Sequence, residues 1–292
     1  MTKYYFPLII LSITTLLASF NSQLSHATSN NITIFIEDNV YIDYKIFVGN
    51  RDVLTIKDFS TKTIRRDVLD MVIVQQALKL GGFNYAFNYT PGKINFRNTK
   101  MIQTGQLLLS FDSYWQQDAQ AISHSVYISD AVIRNGEFIA GMYTSPKNTK
   151  MLAVKSLADL KEFTSVSTPK WRTDWQTLQS LPLKKLVQQN SWLSMARMVD
   201  IQWVDFLLMP FTSTPDQSFI ANKIHLVPVK NIGIILKDSR HYVISKAHPK
   251  GEQAYKAINK GLKILRKNGD IVKAYQQAGF FIDHDEYVVL NP

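Results

Sequence analysis

Apolar residues recur along this chain in two rhythms, one of period two and one of about 3.6. Residues 32–36 (ITIFI) are β-branched or aromatic throughout and predict a strand, and residues 44–48, ahead of Gly49-Asn50, predict a second. After a polar connection over 51–63, Ile64, Val68, Leu69, Met71, Val72, Leu78 and Leu80 fall at helical spacing, and Gly81-Gly82 stops the helix. Residues 83–89 alternate as a strand closed by Pro91-Gly92, a helix over 96–104 ends at Gly105, and 106–111 (QLLLSF) read as a buried strand. The order β-α-β-α-β is the pattern of a doubly wound sheet.

Two extended segments between 126 and 143 flank the Asn135-Gly136 turn, and a second series begins at Met151. It comprises an apolar stretch over 151–154, a short helix at 156–160, a strand at 163–166, a polar loop and another helix. A helix is expected over 183–199, with Leu186, Leu193 and Met198 among its apolar positions, and a buried strand over 203–211 (WVDFLLMPF), broken by Pro210. Extended segments follow at 226–229, 232–236 and 242–245. Two helices close the chain: Ala254, Ile258, Leu262 and Leu265 form an apolar stripe up to Asn268-Gly269, and 270–278 ends at Gly279. Two successive α/β units followed by a return strand suggest two lobes joined by two crossing strands.

Composition narrows the class. With 292 residues, 46% of them hydrophobic, the chain can bury a core as one large domain or two modest ones. Its start reads as an export signal over 1–27: Lys3, an apolar run from 8 to 20, then small residues at Ser25 and Ala27. The alternative, a membrane anchor, needs roughly 20 apolar residues in a row, more than that run supplies. The absence of cysteine excludes disulfides, thiol catalysis and a lipid-modified cysteine. An exported, unanchored protein points to the periplasm of a Gram-negative bacterium. The formal charge of +10 could attract anionic ligands, lipid headgroups or nucleic acid. However, Lys256, Lys260, Lys263 and Lys267 alternate with apolar residues as on a solvated helix face, and no nucleic-acid motif occurs, so no nucleic-acid partner is expected.

Candidate chemistry gathers in the loop after the strand at 163–166. Ser167, Thr168, Lys170, Arg172 and Thr173 bring hydroxyls and cations to a helix start, where free N–H groups favour an anion, and Trp171 and Trp175 flank them. Open α/β sheets place ligands at such positions. The competing reading is ordinary capping by Thr173 or Asp174 with the tryptophans packed beneath. No phosphate-binding glycine loop, G-x-S-x-G or H-E-x-x-H occurs, the histidines lack ligand spacing, and no cofactor is expected. Asp283-His284-Asp285-Glu286 reads either as a divalent-cation site or as a solvated tail.

Several phrases then take on a pattern. Leu157-Ala158-Asp159-Leu160 precedes a strand, His248-Pro249-Lys250-Gly251 opens a helix, and Asn268-Gly269-Asp270-Ile271 is followed by Tyr275 and, after Gly279, Phe280. Their order resembles that of the bacterial periplasmic solute-binding proteins of family 3, the amino-acid-binding type, over about 32–280. The resemblance implies the type II periplasmic binding protein fold, with 28–140 and 238–292 as lobe 1 and 141–237 as lobe 2. It implies crossings near 138–143 and 234–244, capture of a small molecule by hinge closure, and a monomer without catalysis serving an inner-membrane ABC permease or a sensor.

The chain departs from that family where an arginine after the third strand usually clamps the ligand carboxylate: residues 113–119 (SYWQQDA) contain none. The nearest matches to the family's acidic residue are Asp200 and Asp205. In the family layout Tyr114 and Trp115 face Trp171 and Arg172, so aromatic walls would sandwich a flat or apolar ligand while Arg172 grips a carboxylate or phosphate. The expected site is Tyr114, Trp115, Thr168, Trp171, Arg172, Thr173 and Asp205. Two alternatives stay open: an exported dehydratase-like enzyme using Asp118 or Asp205 as acid or base, and a ligand-sensing module docking to a membrane partner.

Overall fold

Alternation of Ile32, Ile34 and Ile36 with more exposed neighbours builds β1 (Asn31–Glu37), the first strand of a computed structural model that describes residues 31–61, 64–92, 96–212, 214–282 and 286–292. The expected export signal lies outside the described residues, as do 283–285 of the acidic tail. Among the described residues no helix is long and apolar enough to cross a membrane.

β1 runs directly into α1 (Asp38–Val48), which corrects the strand expected at 44–48. The Glu37 carboxylate caps the helix by accepting from the Val40 N–H at 3.1 Å, and Val40 and Tyr44, four apart, face inward while Ile42 and Ile46 stay exposed. α2 (Arg66–Leu80) is buried from Val68 to Leu78. β2 (Ala86–Gly92) pairs in parallel with β1. After α3 (Phe96–Gln103) the expected strand at 106–111 reduces to an isolated antiparallel bridge between Leu109 and Ile244. β3 (Tyr114–Trp115), α4 (Gln116–Ala121) and β4 (Val126–Ile133) follow.

β5 (Ile139–Thr144), buried at every position, leads into the middle of the chain: α5 (Thr149–Leu152), β6 (Thr164–Ser167), α6 (Arg172–Ser180), β7 (Lys185–Gln188), α7 (Trp192–Asp200), β8 (Leu207–Met209) and β9 (Phe219–Ala221). The helix expected over 183–199 is thus two elements. Leu186 and Val187 are drawn into a parallel pairing with β6, and Ser191 caps α7 by accepting from the Ser194 N–H at 3.3 Å. The strand expected over 203–211 is real only at β8.

The long β10 (Ile224–Ile235) brings the chain back, pairing with β5 at Gly233 opposite Gly141 and Ile235 opposite Ile139. β11 (Arg240–Ser245) then inserts between β3 and β4. α8 (Gly251–Lys267), α9 (Asp270–Gln277) and β12 (Val288–Val289) finish the chain. The stripe of Ala254, Ile258, Leu262 and Leu265 is buried, and the cations of α8 pair at its surface, Lys256 with Glu252 at 2.6 Å and Arg266 with Glu137 at 2.7 Å. The expected solvated face is therefore correct. α8 lies directly on α2: a Cβ on Gly261 would sit 1.9 Å from the Ala77 carbonyl oxygen, and one on Gly81 2.0 Å from that of Ala257. Only glycine permits that backbone approach. The architecture is α/β, with β5 and β10 paired antiparallel.

Candidate functional site

The first turn of α2 carries the polar heart of the site. Arg66 and Asp70 are one helical turn apart and form an ion pair, although Asp70 is fully buried. A charge there is tolerable only when its oxygens are satisfied. Asp70 accepts from Arg66, from the Ser113 N–H at 3.1 Å, from the Ser113 hydroxyl and from the Tyr275 hydroxyl, and its backbone carbonyl accepts from Tyr242 at 2.8 Å. Burial pushes the Asp70 carboxyl upward in pKa, and Arg66 and Arg240 pull the other way.

Arg240, the first residue of β11, completes this network. Its Nε donates to the Ser113 hydroxyl at 2.9 Å, Nη2 donates to the Ser113 carbonyl, and Asp112 lies 3.7 Å away. The guanidinium sits 4.4 Å from the centroid of the Trp115 ring. Nη1 takes part in none of these bonds. Burial and the neighbouring Arg66 bring the Arg240 pKa down to about 10. Arg66 also donates to Asp112 at 2.9 Å; burial opposes its charge, but Asp70 and Asp112 outweigh that and raise its pKa.

Arg66, Trp115, Arg240, Lys170, Trp171, Asp174 and Trp192 line a cavity of about 390 Å³. Its apolar lining includes Ala140 of β5, Leu208 and Met209 of β8, and Leu236 just after β10. Asp174 is half-buried in the first turn of α6. Burial pushes its carboxyl up to about 6, held back by its own backbone N–H and by the positive Arg240 and Arg66. The chamber and its backing thus hold three cations, Arg66, Arg240 and Lys170, and three carboxylates, Asp70, Asp112 and Asp174. Such a set suits a solute that carries both charges.

Of the residues expected at the site, Trp115 and Trp171 line this chamber. The others are placed elsewhere. Tyr114 bonds Thr99 at 3.1 Å through its hydroxyl and packs with Ile102, Leu107 and Ala119. Thr168 is buried and donates to Asn190 at 2.9 Å, shaping the loop. Arg172 is committed to Asp118 at 2.9 Å, an ion pair between α6 and α4. Thr173 lines a separate polar recess of about 280 Å³ with Gln117, Thr177 and Asp238. Asp205 is a strand clip, accepting from Asn148 at 3.1 Å and from the Thr164 N–H and hydroxyl, both at 2.8 Å. Asp200 is likewise structural, taking the His225 N–H at 3.1 Å.

Sequence reasoning missed Arg66, Asp70, Asp174, Trp192 and Arg240 as site residues. A readable signal existed for the first two: an Arg and an Asp four apart, with the Asp inside the apolar run of α2. Among the described residues no cluster of acidic residues and histidines is arranged to hold a metal ion.

No protein-family profile matches the chain, and no curated protein matches it. Solved structures do. It superposes with a TM-score of 0.54 and 10% identity on the probable amino-acid ABC transporter extracellular-binding protein ytmK from Bacillus subtilis, covering 85% of this chain and 98% of that one. The periplasmic VFT2 domain of BvgS from Bordetella pertussis gives a TM-score of 0.54 at 12% identity, covering 85% and 94%. An ancestral amino acid-binding protein described as a precursor of cyclohexadienyl dehydratase gives a TM-score of 0.50 at 16% identity, covering 87% and 96%. This chain has the two-lobed fold of the type II periplasmic binding proteins.

Proposed function

We propose that this chain is an exported solute-binding protein that captures a small amphoteric molecule between its lobes by hinge closure and presents it to an inner-membrane ABC permease. In this reading residues 1–27 are removed on export to the periplasm of a Gram-negative bacterium, 28–140 with 238–292 form one lobe, 141–237 form the other, and the protein acts as a monomer. The observation that carries it is the chamber of about 390 Å³, lined both by the guanidiniums of Arg66 and Arg240 and by the carboxylate of Asp174. A ligand carboxylate at Arg240 and an ammonium at Asp174 would engage both lobes, so binding and closure reinforce each other. Arg240, arriving from β11 onto the Ser113 loop, supplies the guanidinium absent from 113–119.

The test is native mass spectrometry of the purified protein for copurifying solutes, followed by calorimetric titration with a panel of amphoteric compounds. Micromolar binding of an amphoteric solute that weakens at least tenfold in Arg240→Met supports the reading; no binding across the panel overturns it. A second reading has its own support: a carboxyl with its pKa at about 6, in the same chamber as two guanidiniums, could move a proton. Conversion of the bound solute during prolonged incubation, absent in Asp174→Asn, would favour that enzyme. Asp118 and Asp205, the acids first considered for it, are tied up in structural contacts.

A further inference from the structure

The charged chamber does not end at Trp171. Arg66, Trp171, Met209 and Pro210 also line a second cavity of about 490 Å³, whose remaining walls include Phe211, Phe219, Ala278 and Phe280. The two spaces therefore meet along shared side chains, one with charges of both signs and the other mostly apolar, its rings accompanied by the paired Arg65 and Asp67. Each volume lies within the roughly 300–1,000 Å³ of ordinary ligand sites. A free, short amino acid engages only the first. The second would be left holding water against apolar walls, which is unfavourable in proportion to the apolar area wetted.

We infer that the ligand is an amphipathic acid: an amphoteric head held among Arg66, Arg240 and Asp174, and an apolar body several carbons long lying past Trp171 against Met209, Phe211, Phe219 and Phe280. The inference rests on the solute-binding reading and adds the chemical class of the solute. Trp171 is the threshold between the chambers, and its exposed indole is free to pack along the body of the guest.

The test is calorimetric titration of the purified full-length protein with a homologous series of straight-chain α-amino acids, 2-aminobutanoate, norleucine, 2-aminooctanoate and 2-aminodecanoate. The expected result is a Kd that falls about fourfold for each added methylene until the second chamber is filled. Ala278→Phe, which fills that chamber, abolishes the dependence on length. Phe219→Trp, at a half-buried position, serves the same purpose should Ala278→Phe fail to fold. A Kd flat along the series, or binding only of hydrophilic members of the wider panel, overturns this inference and leaves solute binding standing. Absence of binding by every compound overturns both.

Discussion

Asp174 gives the sharpest prediction because its titration is visible in two measurements of opposite sign. Burial raises its carboxyl from the ordinary 3.8 to about 6. Between those values the folded protein holds a proton that the unfolded chain has released. Stability from this residue is therefore fully present below pH 4 and is lost as pH rises through 6. A gap of roughly two units corresponds to about 3 kcal/mol, and solvent screening of this half-buried group reduces it to about 1–2 kcal/mol. Asp174→Asn, which cannot ionise, should be more stable than the unaltered protein by about 1–2 kcal/mol at pH 8 and nearly equal to it at pH 4. Urea denaturation at both pH values measures the difference. Affinity for an amphoteric ligand moves the other way, weakening roughly tenfold per unit as pH falls below 6 in the unaltered protein and staying flat in the variant. Equal urea midpoints at pH 8, or a variant less stable there than the unaltered protein, would refute the reasoning. The carboxylate would then be a satisfied structural group, not one waiting for a cation.

Three further outcomes follow from contacts already described. Asp205→Ala strands the Thr164 N–H and the Asn148 amide, and should cost about 1–3 kcal/mol in urea denaturation while ligand affinity stays within twofold. The Arg172–Asp118 pair has side chains 46% and 38% exposed, so a double-mutant cycle should give a coupling below about 1 kcal/mol that vanishes in high salt. A coupling above that would mean the pair governs how α6 meets α4. Gly261→Ala forces a methyl against the Ala77 carbonyl, where neither backbone can yield locally, and should lower stability by at least about 1–3 kcal/mol by thermal or urea unfolding.

The elements legible in the sequence are those whose own residues bury them. β1 and α8 carry unbroken apolar periodicities, α2 an apolar run interrupted by Asp70, Gln75 and Gln76, and Gly269 and Gly279, both at positive φ, mark helix boundaries as expected. β7 and β8 were misread because they have four and three residues, too few to show a period, and exist through their pairing with β6 and β5. α1 was misread because its cap is Glu37, which is outside the usual N-cap residues. The site divides the same way. Trp171 is legible as a large ring in a polar loop, whereas Trp115, at the end of β3, enters through the resemblance. Asp70, by contrast, meets Ser113 from 43 residues away and Tyr275 from 205 away, a constellation that no local pattern encodes.

That last separation governs when the molecule can first do anything. A chain exported from its N-terminus delivers Asp70 well before Tyr275, 205 residues on, and Arg240 is also a late arrival. Until α9 arrives, the acid lacks its Tyr275 partner. The network around Asp70 must therefore close late, by long-range contacts that fold slowly. Truncated chains lacking α9 should be inert toward ligand, so competence to bind reports a finished polypeptide.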